Sequence, residues 1–63
     1  MLSESLKRER MKKGVSKSQL ARISTVSRNT INLIENQNYK NTKFSTIEKL
    51  ANALDVPVSD LVK

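Results

Sequence analysis

Two short helical segments separated by a tight turn, within residues 16–35, constrain the fold of this chain more than any other stretch. Ser16 and Gln19 have the spacing of a capping box, in which each side chain bonds a free backbone N–H of the other residue. Residues 24–26 then interrupt the helical pattern, and Ser27 is a good N-cap for a second helix. Because helices this short are not stable alone, we expect both to pack against further helices.

The second of these helices has two chemically different faces. At 100° per residue, one face carries the residues suited to a core, namely Ile31, Ile34 and Glu35. The other face and the N-terminal tip carry mostly polar residues, namely Ser27, Arg28, Asn29, Asn32 and Leu33. A short helix with amides and an arginine on its outer face is suited to presenting them to a partner.

An ion pair is expected between the first helix and this second segment. The pattern predicts a helix over residues 3–13 that ends at Gly14 as its C′ residue. Arg10 follows Leu6 on the side that should face the core, and a buried guanidinium needs an acid. Glu35, on the inner face of its own helix, is the natural candidate.

The C-terminal half contains one loop and two helices. Residues 36–43 are polar, rich in Asn and without apolar periodicity, which is typical of a loop. Ser45 and Glu48 form a further capping box, which predicts a strongly amphipathic helix that Asp55 ends. Pro57 then fits the first turn of a last short helix.

These segments predict an all-α fold, a bundle of five short helices in one domain over residues 1–63. The expected core consists of Leu6, Val15, Leu20, Ala21, Val26, Ile31, Ile34, Phe44, Ile47, Leu50, Leu54, Val58 and Leu61. Phe44 is assigned to the core rather than to nucleotide stacking, since it can staple the cap at Ser45.

Composition excludes several function classes. The chain has no Cys and no His, so disulfides and metal sites built on nitrogen or sulfur are excluded. A 63-residue chain has no room for a deep catalytic cleft, and neither an acid pair nor a Gly-rich phosphate loop occurs. We therefore expect no enzyme activity, no cofactor and no small-molecule ligand. No apolar run is long enough for a signal sequence or a membrane span, so we expect a soluble cytoplasmic protein.

The basic charge is concentrated in one half of the sequence. The net charge is +6; residues 1–31 hold eight of the twelve basic residues and two of the six acids, and residues 32–63 hold four of each. Such a surplus favours binding to a polyanion, either nucleic acid or an anionic membrane surface. It is equally consistent with surface charge that only keeps the protein soluble. Charge alone leaves these alternatives open.

The sequence resembles the phage repressor and Cro type of helix-turn-helix domain from about Leu6 to Leu61. The matching segments are Val15-Ser16, Leu20-Ala21, Val26-Ser27-Arg28-Asn29-Thr30-Ile31, Ile34-Glu35-Asn36 and Ile47-Glu48-Lys49-Leu50-Ala51-Asn52-Ala53-Leu54. The resemblance implies a lambda-repressor-like five-helix bundle that binds operator DNA, usually as a dimer, with its third helix in the major groove. The family pattern also has an arginine at Arg10 and an acid at Glu35.

Five positions depart from the family pattern. Thr25, Gln37 and Asp55 replace common glycines, and a β-branched residue such as Thr25 is strained at positive φ. Glu9 stands where the family has an apolar residue, and Lys17 replaces a frequent Gln. At Thr25 we expect either a turn of different geometry or a strained turn, and at Glu9 we expect weaker packing.

On DNA, three groups of residues have expected roles. Base readout is assigned to the outer face of the second segment, namely Ser27, Arg28, Asn29, Asn32 and Leu33. Phosphate contact is assigned to Lys17 at a helix start and, by resemblance, to Asn36, Lys40 and Lys43, with Arg22 and Tyr39 as weaker candidates. By the same resemblance, Val56, Pro57, Val58 and Leu61 are dimerisation candidates, packing under the last helix being the alternative.

The sequence therefore predicts sequence-specific binding of double-stranded DNA by a transcriptional regulator, a repressor and homodimer in a bacterial or phage-infected cell. An antitoxin or a restriction-system controller would have the same pattern. The alternative from another class is a protein-interaction module on the same scaffold. A membrane-surface helix fits poorly, since the apolar faces are needed for the core.

Overall fold

The computed structural model describes residues 2–37 and 43–62, which form five α-helices and no strand. The helices are α1 (Leu2–Lys12), α2 (Lys17–Ser24), α3 (Arg28–Gln37), α4 (Phe44–Ala53) and α5 (Val58–Leu61). Helix α1 packs on α3 and α5, α2 packs on α3 and α4, and α4 packs on α5. The predicted all-α fold is confirmed.

The turns at both ends of α2 form as the sequence predicts. Ser16 Oγ accepts the Gln19 N–H at 3.1 Å, and Gln19 Oε1 accepts the Ser16 N–H at 3.0 Å, which completes the capping box. At the other end, Thr25 has φ 61°, in the left-handed region. Thr25 therefore occupies the strained position that the family pattern gives to glycine.

Two further helix ends share one geometry. After α1, Gly14 has φ 66° and donates to Met11 O, while the Val15 N–H donates to Arg10 O. After α4, Asp55 has φ 56°, and the same two bonds form from the residues at equivalent positions. Both are Schellman motifs, so Gly14 and Asp55 end their helices as expected.

The core lies where the five helices meet. Its buried apolar residues are Leu6, Leu20, Val26, Ile31, Ile34, Leu50, Ala51, Leu54 and Leu61. Partly buried residues pack against this core, namely Leu2, Val15, Ala21, Ile47, Ala53, Val56 and Val58. The assignment of Phe44 to the core was wrong, because 61% of this residue is exposed.

The start of α4 also differs from the prediction. The helix begins at Phe44, and Lys43 is its N-cap, whose carbonyl accepts the N–H groups of Thr46 and Ile47 at 3.0 and 3.2 Å. Ser45 therefore lies inside the first turn, where its hydroxyl cannot cap the helix, so the capping box predicted for Ser45 and Glu48 was wrong. Because the N-cap lies two residues earlier than predicted, Phe44 is the first residue of the helix, and it is exposed.

Glu9 lies on the inner side of α1, with 8% of its side chain exposed. Its partners are Arg8 Nε at 3.5 Å and Lys12 Nζ at 3.9 Å, both on the same helix and both mostly exposed. The carboxylate is thus buried while its counter-charges remain in solvent. Glu9 is therefore a charged residue at a buried position where the family has an apolar one, and the weaker packing expected there stays a prediction.

Candidate nucleic-acid interface

Helix α3 is fixed in the bundle by its inner face and its cap. Ile31 and Ile34 are fully buried. Ser27, which precedes the helix, accepts the Thr30 N–H at 3.1 Å and donates its hydroxyl to Thr30 Oγ1 at 2.8 Å. Its hydroxyl therefore serves first to cap the helix.

Arg10 and Glu35 form the bidentate ion pair expected from the sequence. Arg10 Nε donates to Glu35 Oε2 at 2.8 Å, and Arg10 Nη2 donates to Glu35 Oε1 at 3.0 Å. The two side chains are 13% and 1% exposed. Arg10 Nη1 also donates to Val15 O at 2.9 Å, so one guanidinium joins α1, the segment after it, and α3. This pair sets the orientation of α3.

The outer face of α3 forms a shallow polar surface. Arg28, Asn29 and Asn32 are exposed and line an open concavity of about 330 Å³. Leu33, at the edge of this face, is half-buried. The structure therefore brings together the polar residues that the helical periodicity assigns to base readout.

A hydrogen-bonded cluster on this face was missed by the sequence analysis. Asn32 Oδ1 accepts Lys17 Nζ at 2.7 Å and Asn36 Nδ2 at 2.9 Å. Lys17 is the first residue of α2, and it reaches α3 because these two helices pack together. The signal in the sequence was the four-residue spacing of the two asparagines, together with the expected contact between the helices.

Four further residues were assigned to phosphate contacts, and Lys17 was a fifth. Lys43 and Arg22 are exposed. Lys40 and Tyr39 lie outside the described residues, so their expected DNA contacts have no structural counterpart. Lys17 is half-buried and bonded to Asn32, rather than projecting freely toward a phosphate.

A model of the helix-turn-helix family matches residues 6–61 of the chain. The chain belongs to the helix-turn-helix family, of the phage repressor and Cro type. DNA binding in transcription regulation is therefore the general function of this domain. No curated protein matches the sequence.

The dimerisation candidates of this helix-turn-helix domain divide into two groups. Leu61 is fully buried in the core of the monomer, which fits the alternative of packing under the last helix. Val56 and Val58 are half-buried and Pro57 is exposed. Val62, 53% exposed, extends the apolar surface of this C-terminal region.

The described part of the helix-turn-helix domain contains neither a metal-binding cluster nor a membrane-spanning helix. Within residues 2–37 and 43–62, no group of three or more potential ligands is arranged to hold a metal ion. No helix in these same ranges has the length and apolar character needed to cross a membrane.

Proposed function

We propose that this protein is a sequence-specific regulator of double-stranded DNA whose helix α3 enters the major groove. The observation that carries the proposal is the open concavity that Arg28, Asn29 and Asn32 line on the outer face of α3. The major groove admits an α-helix, and arginine and asparagine are side chains suited to base edges there. Occupying an operator excludes other proteins from it, which makes repression the expected outcome.

Three residues on the outer face of α3 have base-reading roles that their chemistry supports. Arg28, at the first position of the helix, has the planar fork that matches guanine O6 and N7. Its charge also lies at the positive end of the helix dipole, and a partner with acceptor groups offsets that unfavourable placement. Asn29 suits adenine N6 and N7, and Leu33 suits the methyl group of thymine. Base readout would therefore concentrate on the first two turns.

Phosphate contacts are proposed on one side of this helix. Lys43 is exposed and is the N-cap of α4, whose first N–H groups have no side-chain cap and lie at the positive end of the helix dipole. A lysine side chain has no acceptor and cannot cap those groups itself, whereas a phosphate oxygen can. Lys40 and Asn36 are assigned to the same strand of the duplex. These contacts would supply affinity and orientation rather than sequence preference.

We further propose that the domain binds DNA as a homodimer in the cytoplasm. Val56, Pro57 and Val58 offer partly exposed apolar surface around the start of α5, beside the exposed Val62. A two-fold dimer would place its two α3 helices in major grooves one turn apart, about 34 Å along the duplex.

Two variants separate base readout from phosphate contact. Arg28→Ala is expected to cost about 1–3 kcal/mol at one base pair, because it removes a bidentate contact to guanine. Lys43→Ala is expected to weaken binding to all sequences alike and to reduce the salt slope by about one. Fluorescence anisotropy on duplex variants over a salt series measures both effects. Identical behaviour of the two variants would contradict the assigned roles.

A further inference from the structure

Asn32 has its acceptor occupied within the protein. Lys17 Nζ and Asn36 Nδ2 both donate to Asn32 Oδ1, at 2.7 and 2.9 Å. An amide oxygen has two lone pairs, and these two bonds use both. The group that Asn32 retains for a base is its Nδ2 amide, which only donates.

This occupied acceptor changes which base Asn32 suits. A bidentate contact to adenine needs the whole amide, because Oδ1 accepts from N6 while Nδ2 donates to N7. The bonds from Lys17 and Asn36 leave no lone pair for adenine N6. Guanine presents two acceptors, O6 and N7, at the same edge. It therefore matches the Asn32 Nδ2 amide together with an N–H of Lys17, whose ammonium has two donors beyond the one given to Asn32.

We propose that Lys17 and Asn32 act as one unit that selects guanine over adenine at one base pair, with Lys17 as a specificity-determining residue. Asn32 lines the same concavity as Arg28 and Asn29, and Lys17 is bonded to Asn32, so the unit would face the same groove. Lys17 then belongs to the base-reading surface rather than to the phosphate contacts. This inference rests on the proposed DNA-binding function.

The test is binding-site selection from a random duplex pool by the wild type, Lys17→Met and Lys43→Met. Methionine keeps the length and apolar stem of Lys17 but has no N–H donor, so Asn32 Oδ1 regains a lone pair. Lys17→Met should therefore accept adenine at one position of the motif, and the guanine-to-adenine preference there should fall about 5- to 150-fold. Lys43→Met, the matched control, should leave every base preference unchanged.

Asn32→Ala removes the acceptor of the hydrogen bond that Lys17 donates. It should alter preference at the same position as Lys17→Met, and the double variant should lose little more than either single one. Circular dichroism of each variant verifies that the helices remain.

Two results would overturn the inference, and only the second would also contradict the proposed function. A wild-type motif with uniform weakening by Lys17→Met and unchanged base preferences would assign Lys17 to a phosphate and leave the proposed function intact. A wild type that enriches no motif would contradict the proposed function, and the guanine-selecting unit with it.

Discussion

At the scale of single residues, the Arg10 side chain joins three segments of the chain: α1, the residues after it, and α3. Its guanidinium bonds Glu35 through two nitrogens and Val15 O through the third. Glu35 is almost completely removed from solvent, so its charge depends on this one partner. The pair therefore couples α1 to the helix that we assign to the major groove.

Glu35→Gln is expected to lower the free energy of unfolding by about 3 kcal/mol, because it leaves a mostly buried guanidinium without its counter-charge. Urea denaturation followed by circular dichroism measures the change. Glu48→Gln, which alters an exposed acid of α4, is the control and should change stability by less than about 0.5 kcal/mol. An unchanged unfolding midpoint for Glu35→Gln would contradict the role of the pair.

Thr25→Gly is expected to stabilise the domain by up to about 1 kcal/mol. The left-handed conformation costs a non-glycine residue about 1–2 kcal/mol, and the entropy of an added glycine offsets part of the gain. The melting temperature should rise by about 4 °C or more per kcal/mol in a domain of this size.

Gly14→Ala tests the same backbone strain in the opposite direction, because it adds a Cβ to a residue with positive φ. Open space surrounds the position where its Cβ would lie, so backbone strain at φ 66° is the cost that remains. We expect a loss of about 1–2 kcal/mol in thermal unfolding. If Thr25→Gly lowered the melting temperature while Gly14→Ala left it unchanged, the strain argument would be wrong.

At the scale of elements, α1 contains a buried acid whose replacement should stabilise the fold. Glu9 is buried, but its counter-charges are exposed, so removing the carboxylate leaves no buried charge behind. Glu9→Met should raise the free energy of unfolding by about 1 kcal/mol, because it replaces a desolvated charge with an apolar side chain of similar shape.

The control for Glu9 is Glu4→Met on the same helix, where the acid is exposed. It should change stability by about 0.5 kcal/mol at most. Chemical denaturation of the two variants gives the comparison. A loss of stability in Glu9→Met would show that Arg8 and Lys12 pair with Glu9 more strongly than their exposure implies.

Local chemistry predicted most helix ends and the ion pair. Ser16 with Gln19 three residues later predicts the capping box, and Gly14 predicts the end of α1. A buried guanidinium needs an acid, which predicts a partner for Arg10. The start of α4 did not follow, since its N-cap is Lys43, whose side chain makes no capping bond and gives no signal in the sequence. Phe44 was misplaced for the same reason, because the N-cap at Lys43 makes it the first residue of the helix rather than the residue before the cap.

The sequence predicted which residues lie on the candidate site, but it did not predict the hydrogen bonds between them. Helical periodicity is sufficient to place Arg28, Asn29 and Asn32 on one face. The bond between Lys17 and Asn32 depends on how closely α2 and α3 approach and on side-chain rotamers. Those distances are set by packing across the helix pair, which a pattern along one chain does not specify.

At the scale of the whole molecule, stability depends on the inner faces of the helices and the proposed DNA binding depends on the outer face of α3. The inner faces of α2 and α3 supply the core residues Leu20, Ile31 and Ile34, and the outer face of α3 carries the polar residues. The basic surplus of the first 31 residues accompanies these helices in sequence. Variants of the outer face should therefore change DNA binding with little effect on folding.

The most direct test of the account is selection of binding sites by the wild-type protein from random duplex DNA at near-physiological salt. The account predicts a two-fold symmetric motif with half-sites about one helical turn apart, since two α3 helices would read adjacent major grooves. A single half-site would contradict the dimer while retaining readout by α3. The absence of any enriched sequence, with binding that disappears as salt rises, would contradict the central claim that α3 reads DNA.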